Sequence, residues 1–402
     1  MPYTVELRWT PPNPAGLSKK NRASGTYRAY LPDELAITLP ELGAKAQYAA
    51  EEAAVVLARL DERISSSGST YLNHLLIRSE SISSSWIEGN RLSPKKLAIA
   101  ERLKYGDRVA LDVIANVRAT ENAIDEIADP LRAISVKDIE DLQHSIEPRL
   151  AFGLREAQNW VGGPGNSPLR AEFVPPPPAE VPRLVANLAA FITATEGNPV
   201  IRAAIAHAQF ETIHPFADGN GRTGRALVHT VLKRSDALRT VLVPISTVFA
   251  ANTNAYIGGL NAYRKDPADL DQWVISFAEA VEAAAASAVL LAEDIEALDQ
   301  TVRLDLAEHR REIGKSPIHP RAGSVILKIL DCLAREPVIT IDSAAVEHGV
   351  SRAAAHRALV ELAEAGILRK TKNHKGKIVC YSADQHLAYV ELTEASHRDR
   401  KG

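Results

Sequence analysis

The twelve residues His214-Pro-Phe-Ala-Asp-Gly-Asn-Gly-Arg-Thr-Gly-Arg225 join two predicted helices. The stretch before them, Ile201 to Phe210, is dense in alanine and isoleucine and predicts a buried helix. Pro215 ends that helix, because proline lacks a backbone N–H and disfavours a helical conformation at His214. A helical pattern resumes at Arg222. The residues between form a short loop that runs into a helix N-terminus.

This loop and the start of the following helix are suited to binding phosphate. Free backbone N–H groups and the helix dipole favour an anion there, and glycine lets the backbone come close to a ligand. Two arginines, three positions apart, lie on one helix face, and guanidinium groups bind phosphate oxygens. The predicted phosphate-binding residues are Gly219, Asn220, Gly221, Arg222 and Arg225.

Two further residues of the string point to chemistry. A carboxylate within a cationic phosphate site is best explained as a magnesium ligand, because Mg²⁺ takes one or two carboxylates plus phosphate oxygens. Asp218 is therefore the predicted metal ligand. His214 is the predicted general base. Each residue alone is typical of turns, caps and solvated surfaces, but their combination indicates a site that handles nucleotides.

The string resembles the signature of the Fic family, His-x-Phe-x-Asp/Glu-Gly-Asn-Gly-Arg-x-x-Arg, and matches it at every fixed position. The resemblance implies a helical Fic core that transfers AMP from ATP to a Ser, Thr or Tyr hydroxyl of a target protein, with auto-AMPylation. It implies that His214 is the catalytic base, that Asp218 holds Mg²⁺ and that Phe216 anchors the loop. Removal of AMP is an alternative activity for the same residues.

A second motif lies upstream. Ser84 and Glu88 are four apart and share a helix face, and Gly89 is suited to ending that helix. From the residues alone, Glu88 could equally be an ordinary surface carboxylate. The segment resembles the family's inhibitory motif, Ser/Thr-x-x-x-Glu-Gly/Asn, in the subclass that carries it on the N-terminal side. The resemblance implies that Glu88 pairs with Arg225 and restrains the resting enzyme.

Two other segments have weaker signals. Residues 154 to 173 are rich in glycine and proline, which predicts an extended or turn-rich segment. Arg155 to Gly163, followed by Phe173 to Pro178, resembles the family's β-hairpin flap, which docks targets; a plain surface loop is the alternative. Tyr256 is a candidate for the adenine pocket. Since the family's paired tyrosines are replaced here by Ala255-Tyr256, a buried structural tyrosine is the alternative.

The C-terminal part resembles a winged helix-turn-helix domain. Ser351 is a predicted N-cap for a helix over residues 352–365, and residues 367–381 alternate as a strand pair with a turn at 373–376. Residues 316–384 hold ten Lys and Arg against seven Asp and Glu. This mild surplus leaves DNA and a protein partner both open. A DNA-binding regulator that uses the Fic core as a nucleotide sensor is therefore an alternative function.

Composition limits the remaining choices. The 402 residues carry a net charge of -3 and two cysteines, so neither a polyanion-binding chain nor a disulfide framework is indicated. The N-terminus lacks a signal-peptide core, and no continuous apolar run of spanning length is present, which predicts a cytoplasmic protein without a membrane partner. The alanine-rich stretch from Phe277 to Leu306 is expected to pack on the core or to form a subunit contact in a homodimer.

These observations predict a mainly α protein: a Fic-type helical bundle with a β-hairpin flap, plus a C-terminal winged helix domain. The predicted organisation is an N-terminal helical region with the inhibitory helix (1–110), beginning with an irregular arm over about 35 residues, the Fic core with its trailing helices (111–312), the winged helix-turn-helix domain (313–390) and a disordered tail (391–402).

Overall fold

The computed structural model describes residues 2–11, 22–67, 70–104, 106, 108–122, 127–163, 167–239, 241–372 and 377–389. The chain is mostly helical, as predicted. It forms two compact units: the first comprises Met1–Val55, Arg118–Arg239 and Asn254–Glu279, and the second comprises Val56–Val117, Thr240–Thr253 and Ala280–Gly402. The predicted domain boundaries stay predictions, and the predicted tail over 391–402 lies outside the described residues.

The helices and strands follow one another in a mixed order. In chain order they are β1 (Tyr3–Trp9), β2 (Gly25–Leu31), α1 (Ala44–Ser67), α2 (Thr70–Ile87), α3 (Pro94–Leu103), α4 (Arg108–Asn122), α5 (Val136–Ile146), α6 (Val181–Ala194), α7 (Pro199–Ile213), α8 (Asn220–Arg234), α9 (Ile245–Ala251), α10 (Thr253–Tyr263), α11 (Leu270–Glu312), α12 (Val325–Leu330), β3 (Val338–Ile339), α13 (Ile341–Glu347), α14 (Arg352–Glu364), β4 (Arg369–Lys372) and β5 (Ile378–Ser382).

Helix α7 is the centre of the first unit. Every residue from Val200 to Ile213 is buried, because alanine and isoleucine occupy all faces of the helix and let neighbours pack around it. Asn198 caps the N-terminus: its Oδ1 accepts from the backbone N–H groups of Val200 and Ile201 at 2.9 and 3.2 Å. Helix α7 packs on α6 and α8. The predicted buried helix is confirmed.

The N-terminal segment contains a β-hairpin, so the prediction of an irregular arm is wrong there. β1 and β2 pair in antiparallel register, with Tyr3 opposite Leu31 and Trp9 opposite Gly25. Residues on these strands alternate in exposure, with Ala29 and Leu31 buried. A period-two pattern of this kind forms a half-buried strand. The prolines of the connecting segment, of which residues 12–21 lie outside the described part of the chain, concealed the pattern in the sequence.

The C-terminal part of the second unit has its own apolar core. Helices α12 and α13 pack on α14, beside a three-stranded antiparallel sheet with strand order β3-β5-β4 whose Ile339 and Tyr381 belong to the same apolar cluster. Buried residues of these helices form one cluster with Leu298, Val302 and Leu306 of α11. Ser351 caps α14, accepting from the Ala354 N–H at 3.2 Å, as predicted. The predicted turn at 373–376 lies outside the described residues.

Helix α11 bears on the membrane prediction. By length and composition it is apolar enough to cross a membrane, although no continuous apolar run marks it in the sequence. Half of its most apolar window is buried inside the protein, and the core helix of a soluble protein meets the same criteria. The helix is therefore weak evidence for a membrane span.

Candidate functional site

The connection between α7 and α8 has an unusual backbone at His214. This residue is the C-cap of α7, with φ 49° and ψ 60°, and its N–H donates to the Phe210 carbonyl at 2.8 Å. A left-handed conformation is uncommon for a side chain other than glycine and is a place to look for function. It turns the chain sharply at the predicted base.

Two hydrogen bonds between Phe216 and Asn220 close the loop. The Phe216 N–H donates to Asn220 Oδ1, and Asn220 Nδ2 donates to the Phe216 carbonyl, both at 2.8 Å. The Phe216 ring is buried and lies 6.2 Å from the Phe210 ring, centroid to centroid. The Asn220 side chain is thus used within the protein. Of the predicted phosphate contacts, Asn220 can offer its backbone N–H.

Gly219 forms the last residue before α8 and needs to be glycine. Its φ is 79°, and a Cβ there would lie 3.1 Å from Glu147 Cγ. The first backbone N–H groups of α8, at Asn220, Gly221 and Arg222, have no carbonyl earlier in the helix to bind. The start of α8 therefore offers a cluster of amide donors and a positive helix end.

Asp218 lies beside these amides with an exposed side chain. Its Oδ1 accepts from the Gly219 N–H at 2.7 Å, which fixes the carboxylate at the helix start. Among the described residues, no group of three or more His, Cys, Asp or Glu side chains could hold a metal ion by itself. A single fixed carboxylate fits a Mg²⁺ that arrives with nucleotide phosphates, since such ions keep few protein ligands.

Arg222 is buried and pairs with Glu147, a contact that the sequence analysis missed. Arg222 Nη2 lies 2.5 Å from Glu147 Oε1, and the two side chains are 3% and 8% exposed. Arg222 Nε and Nη1 are also buried, and neither has a hydrogen-bond partner among the described residues. Buried guanidinium donors without acceptors are costly. The arginine is therefore held on one edge by Glu147, while two of its nitrogen donors lack an acceptor among the described residues.

Helix α5 places Glu147 at this site. Glu147 follows the last residue of α5, and Gln143, one turn earlier, donates through Nε2 to the Asp218 carbonyl at 3.2 Å. Leu142 and Ile146 pack on Ala226 of α8. No local motif in the sequence connects α5 to the loop, because the contact spans 75 residues. Arg225, the second arginine of the string, is 1% exposed.

Arg155 holds the His214 turn from the other side. Its backbone N–H donates to the Pro215 carbonyl at 2.9 Å, and its Nε donates to the His214 carbonyl at 2.9 Å. The Nη1 of the same guanidinium donates to the Ala157 carbonyl, and its Nη2 donates to the carbonyls of Pro176 and Ile213. Burial lowers the pKa of Arg155 to about 10. Asn159 Nδ2 donates to the carbonyls of His214 and Phe216 at 3.1 and 3.0 Å.

The imidazole of His214 is kept neutral. Desolvation, followed by the charges of Arg264 and Arg155, lowers its pKa to about 3, against smaller opposing effects that include Glu211 and Asp218. Nδ1 is buried beside Glu211, whose backbone acts on the ring by hydrogen bonding and whose Oε2 lies 3.8 Å from Nδ1. The side chain is 19% exposed, so the ring reaches solvent. A neutral imidazole has a lone pair available to accept a proton.

Tyr256 is buried and bonded to other core residues. It is 7% exposed, and its hydroxyl hydrogen-bonds His207 Nε2 at 2.8 Å. Its ring stacks on His207, and His207 in turn stacks on Trp273. Trp273 Nε1 donates to the Ala204 carbonyl at 2.8 Å. These contacts favour the core role for Tyr256, the alternative that the unpaired tyrosine left open, over the predicted adenine contact.

The predicted flap is less regular than a β-hairpin. One isolated antiparallel bridge joins Val161 and Phe173, with the Val161 N–H donating to the Phe173 carbonyl at 2.8 Å. The Tyr30 N–H of β2 donates to the Val174 carbonyl at 2.9 Å, so the segment lies along the N-terminal hairpin. Residues 164–166 lie outside the described residues. The glycines and prolines that suggested a flap leave few positions able to form a ladder.

The predicted inhibitory motif lies in the second unit, at the end of α2. Ser84 is 2% exposed, and Glu88 is exposed and follows the last residue of the helix. Gly89 has φ 83°, and its N–H donates to the Trp86 carbonyl at 2.9 Å, while Asn90 donates to Ser85. This is the predicted glycine C-cap. The pairing of Glu88 with Arg225 stays a prediction.

Residues 131–232 match the model of the Fic/DOC family. The chain contains a Fic domain. The match spans the whole site, from α5 with its flanking residues to α8. The sequence is 35% identical over 109 residues to a protein adenylyltransferase Fic from Drosophila grimshawi, covering 25% of this chain and 21% of that protein. It is 41% identical over 69 residues to a probable protein adenylyltransferase from Aquifex aeolicus, covering 17% of this chain and 22% of that protein.

The Fic domain also has a structural counterpart. The chain matches the structure of a Fic family protein from Desulfovibrio desulfuricans with a TM-score of 0.54 and 19% identity, over 86% of this chain and 98% of that one. An identity this low shows only that the two chains share a fold. The chain spans about a fifth of the length of the curated relatives it matches.

Proposed function

We propose that the chain transfers AMP from ATP to a Ser, Thr or Tyr hydroxyl of a target protein, and to its own hydroxyls. The observation that carries the proposal is Arg222. Its guanidinium is buried, its Nε and Nη1 lack partners among the described residues, and it lies on the helix whose first amides follow the His214 loop. Adenylyltransferase relatives over the Fic domain support the same activity.

The proposed reaction exchanges one P–O bond for another. The target hydroxyl oxygen attacks the α-phosphorus of ATP, the bond from that phosphorus to the bridging oxygen breaks, and pyrophosphate leaves. His214 accepts the hydroxyl proton, and because Nδ1 is buried, we assign this role to Nε2. The amides of Gly221 and Arg222, together with both arginine side chains, stabilise the phosphate oxygens as charge moves onto the leaving group.

Magnesium would be held by Asp218 and would neutralise phosphate charge while bound. Arg155 and Asn159 act as positioning residues, because they fix the carbonyl of His214 and thereby the direction of its ring. Gln143 fixes the Asp218 backbone in the same way. The proposed role of α5 is thus to hold both the metal ligand and Arg222 in place before the nucleotide binds.

We also propose that Glu88 restrains this activity. The support for this restraint is that hydrogen bonds hold α2 in place within its own unit. The Glu80 carboxylate is 2% exposed and accepts from the Ser246 N–H and hydroxyl at 2.8 and 2.5 Å. Asn73 Oδ1 accepts from the Leu242 N–H at 3.1 Å. These bonds fix the register of α2 and hence the position of its C-terminal carboxylate. Pairing with Arg225 would withhold that arginine from the nucleotide.

Mass spectrometry of the Glu88→Gly chain after incubation with ATP tests transfer. AMP on Ser, Thr or Tyr of the chain is the expected product, with little on the wild type and little on Glu88→Asp, which keeps the charge. The Glu88→Gly/His214→Ala chain is the matched control and should stay unmodified. Labelling that is equal with and without Glu88 contradicts the restraint; no AMP on any variant contradicts transfer. Loss of AMP from a pre-modified protein would instead indicate removal.

The C-terminal residues support a second candidate function. We infer a winged helix-turn-helix domain from the order helix, strand, two helices and two strands, with Arg357 and His356 exposed on α14 and Lys370 and Lys372 exposed on β4. These cations could contact a nucleic-acid backbone. A gel shift with random duplex DNA tests this at low and high salt. A salt-sensitive shift, lost in Arg357→Gln/Lys370→Gln, is expected for DNA, and no shift at low salt leaves protein docking.

A further inference from the structure

A cavity of about 620 Å³ lies in the first unit at the far end of α8 from the His214 loop. Its volume is within the range of ligand pockets, roughly 300–1,000 Å³. Four cationic residues line it: Arg202, Lys233, Arg234 and Arg239. A helix of the length of α8 spans about 21 Å. This cavity, here named the α8-end cavity, is therefore separate from the proposed nucleotide site.

Two of the arginines are buried with no carboxylate of the described residues at ion-pair distance. Arg202 and Arg234 are 9% and 7% exposed. Arg202 donates to Ser235 Oγ at 2.8 Å and to the Ile192 carbonyl at 3.2 Å, whereas its Nε is buried without a partner among the described residues. Arg234 donates to the carbonyls of Asp129 and Ile127 at 2.5 and 3.3 Å. All these acceptors are neutral.

Burying two cations with only neutral acceptors is unfavourable. Desolvation, followed by the like charge of Arg234, lowers the pKa of Arg202, against a smaller opposing effect of Glu196. Desolvation, followed by the like charge of Arg132, lowers the pKa of Arg234, against smaller opposing effects of Asp129 and Asp138. No carboxylate in the described part of the chain lies within ion-pair distance of either guanidinium. Asp129 and Glu196 lie on the exposed rim, and Asp236 pairs with Arg239 at 2.8 Å. An anion inside the cavity would offset the two buried charges.

We propose that the α8-end cavity binds a small molecule that carries a phosphoryl group. Arg202 and Arg234 would supply two positive charges at the cavity wall, and Lys233, which is half-buried there, would add a further contact. A phosphate monoester carries about two negative charges near neutral pH, which matches two guanidinium groups, whereas a carboxylate carries one. Its three oxygens also accept from several directions.

The test uses the full chain with Arg222→Gln, which removes one arginine of the predicted nucleotide site and leaves the α8-end cavity unchanged. Inorganic phosphate is titrated into this protein by calorimetry at low salt, with acetate as the matched monoanion. We expect phosphate to bind, and acetate to bind at least about tenfold more weakly. Adding Arg202→Met should weaken phosphate binding by at least about tenfold, because one of the two positive charges at the cavity wall is lost.

Lys233→Gln is the second variant, in case Arg202→Met does not fold, because Lys233 is only half-buried. Lys233→Gln should weaken phosphate binding several-fold. Circular dichroism and thermal melting establish folding for each variant. The proposal is overturned by the absence of phosphate binding in the Arg222→Gln chain, or by binding that Arg202→Met and Lys233→Gln leave unchanged. Acetate binding as tight as phosphate would refute the phosphoryl class. None of these outcomes depends on AMP transfer.

Discussion

Replacing Glu147 with alanine should destabilise the first unit strongly. The Glu147 and Arg222 side chains are 8% and 3% exposed and meet at 2.5 Å. Removing the carboxylate leaves a buried guanidinium whose Nε and Nη1 already lack partners among the described residues. Breaking a buried pair by removing one partner costs about 3–5 kcal/mol, because the remaining charge stays desolvated. Glu147→Gln keeps an acceptor and loses only the charge, so we expect a smaller loss, about 1–3 kcal/mol.

Urea unfolding followed by tryptophan fluorescence measures this loss, since Trp9, Trp160 and Trp273 all belong to the first unit. Asp141→Ala is the matched control on the same helix: the Lys137–Asp141 pair is 70% and 49% exposed. Such a surface pair contributes about 0.5 kcal/mol or less.

The double variant Glu147→Ala/Arg222→Met distinguishes a lone buried charge from lost packing. It should recover most of the stability, because the uncompensated guanidinium is removed with its partner. A change below about 1 kcal/mol in Glu147→Ala would show that Arg222 does not depend on this carboxylate. A double variant no more stable than Glu147→Ala would place the cost in packing rather than charge.

Three further predictions concern the loop. In a Glu88→Gly background, His214→Ala should lower AMP transfer by about 10²- to 10⁴-fold with calorimetric ATP binding retained; loss of binding instead would indicate a structural role. Gly219→Ala should lower the free energy of unfolding in urea by about 1–3 kcal/mol, because φ is 79° and the new Cβ would crowd Glu147. Its control is Gly258→Ala on α10, where the space is open, and this change should raise the free energy of unfolding by about 0.5–1 kcal/mol. The pKa of His214 is lower in the folded than in the unfolded chain, so the unfolded chain binds the proton first as pH falls. Stability should therefore decrease as pH drops from 6.5 towards about 3. His214→Asn should flatten this pH dependence of stability, and an unchanged dependence would contradict the neutral imidazole.

The loop could be predicted from the sequence because its causes are local. Pro215 and the left-handed His214 end α7, Gly219 precedes α8, and both effects act within a few residues. The order of the side chains along the string also fixes which chemical groups stand at the helix N-terminus. The same holds for the caps at Ser351 and Gly89, where a side chain or a positive φ satisfies nearby backbone groups.

The flap, the N-terminal hairpin and Tyr256 show what local reasoning could not decide. Glycine and proline within residues 154–173 are equally compatible with a hairpin and with a segment that has one bridge. Tyr256 is placed in the core by His207, 49 residues away. Pairing of β1 with β2 depends on a contact across a long connection, which composition obscured.

The sequence by itself determined the mainly helical fold, the turn between α7 and α8, and the chemical groups of the string, because propensity, capping and turn geometry act over short distances. Only the tertiary structure decided which groups are buried, neutral or unpaired. Glu147 reaches Arg222 across 75 residues, Arg155 holds His214 across 59, and Arg202 and Arg234 come together from different helices. Burial removes water from these groups, and desolvation changes their charge and hydrogen bonding in ways that no local pattern records.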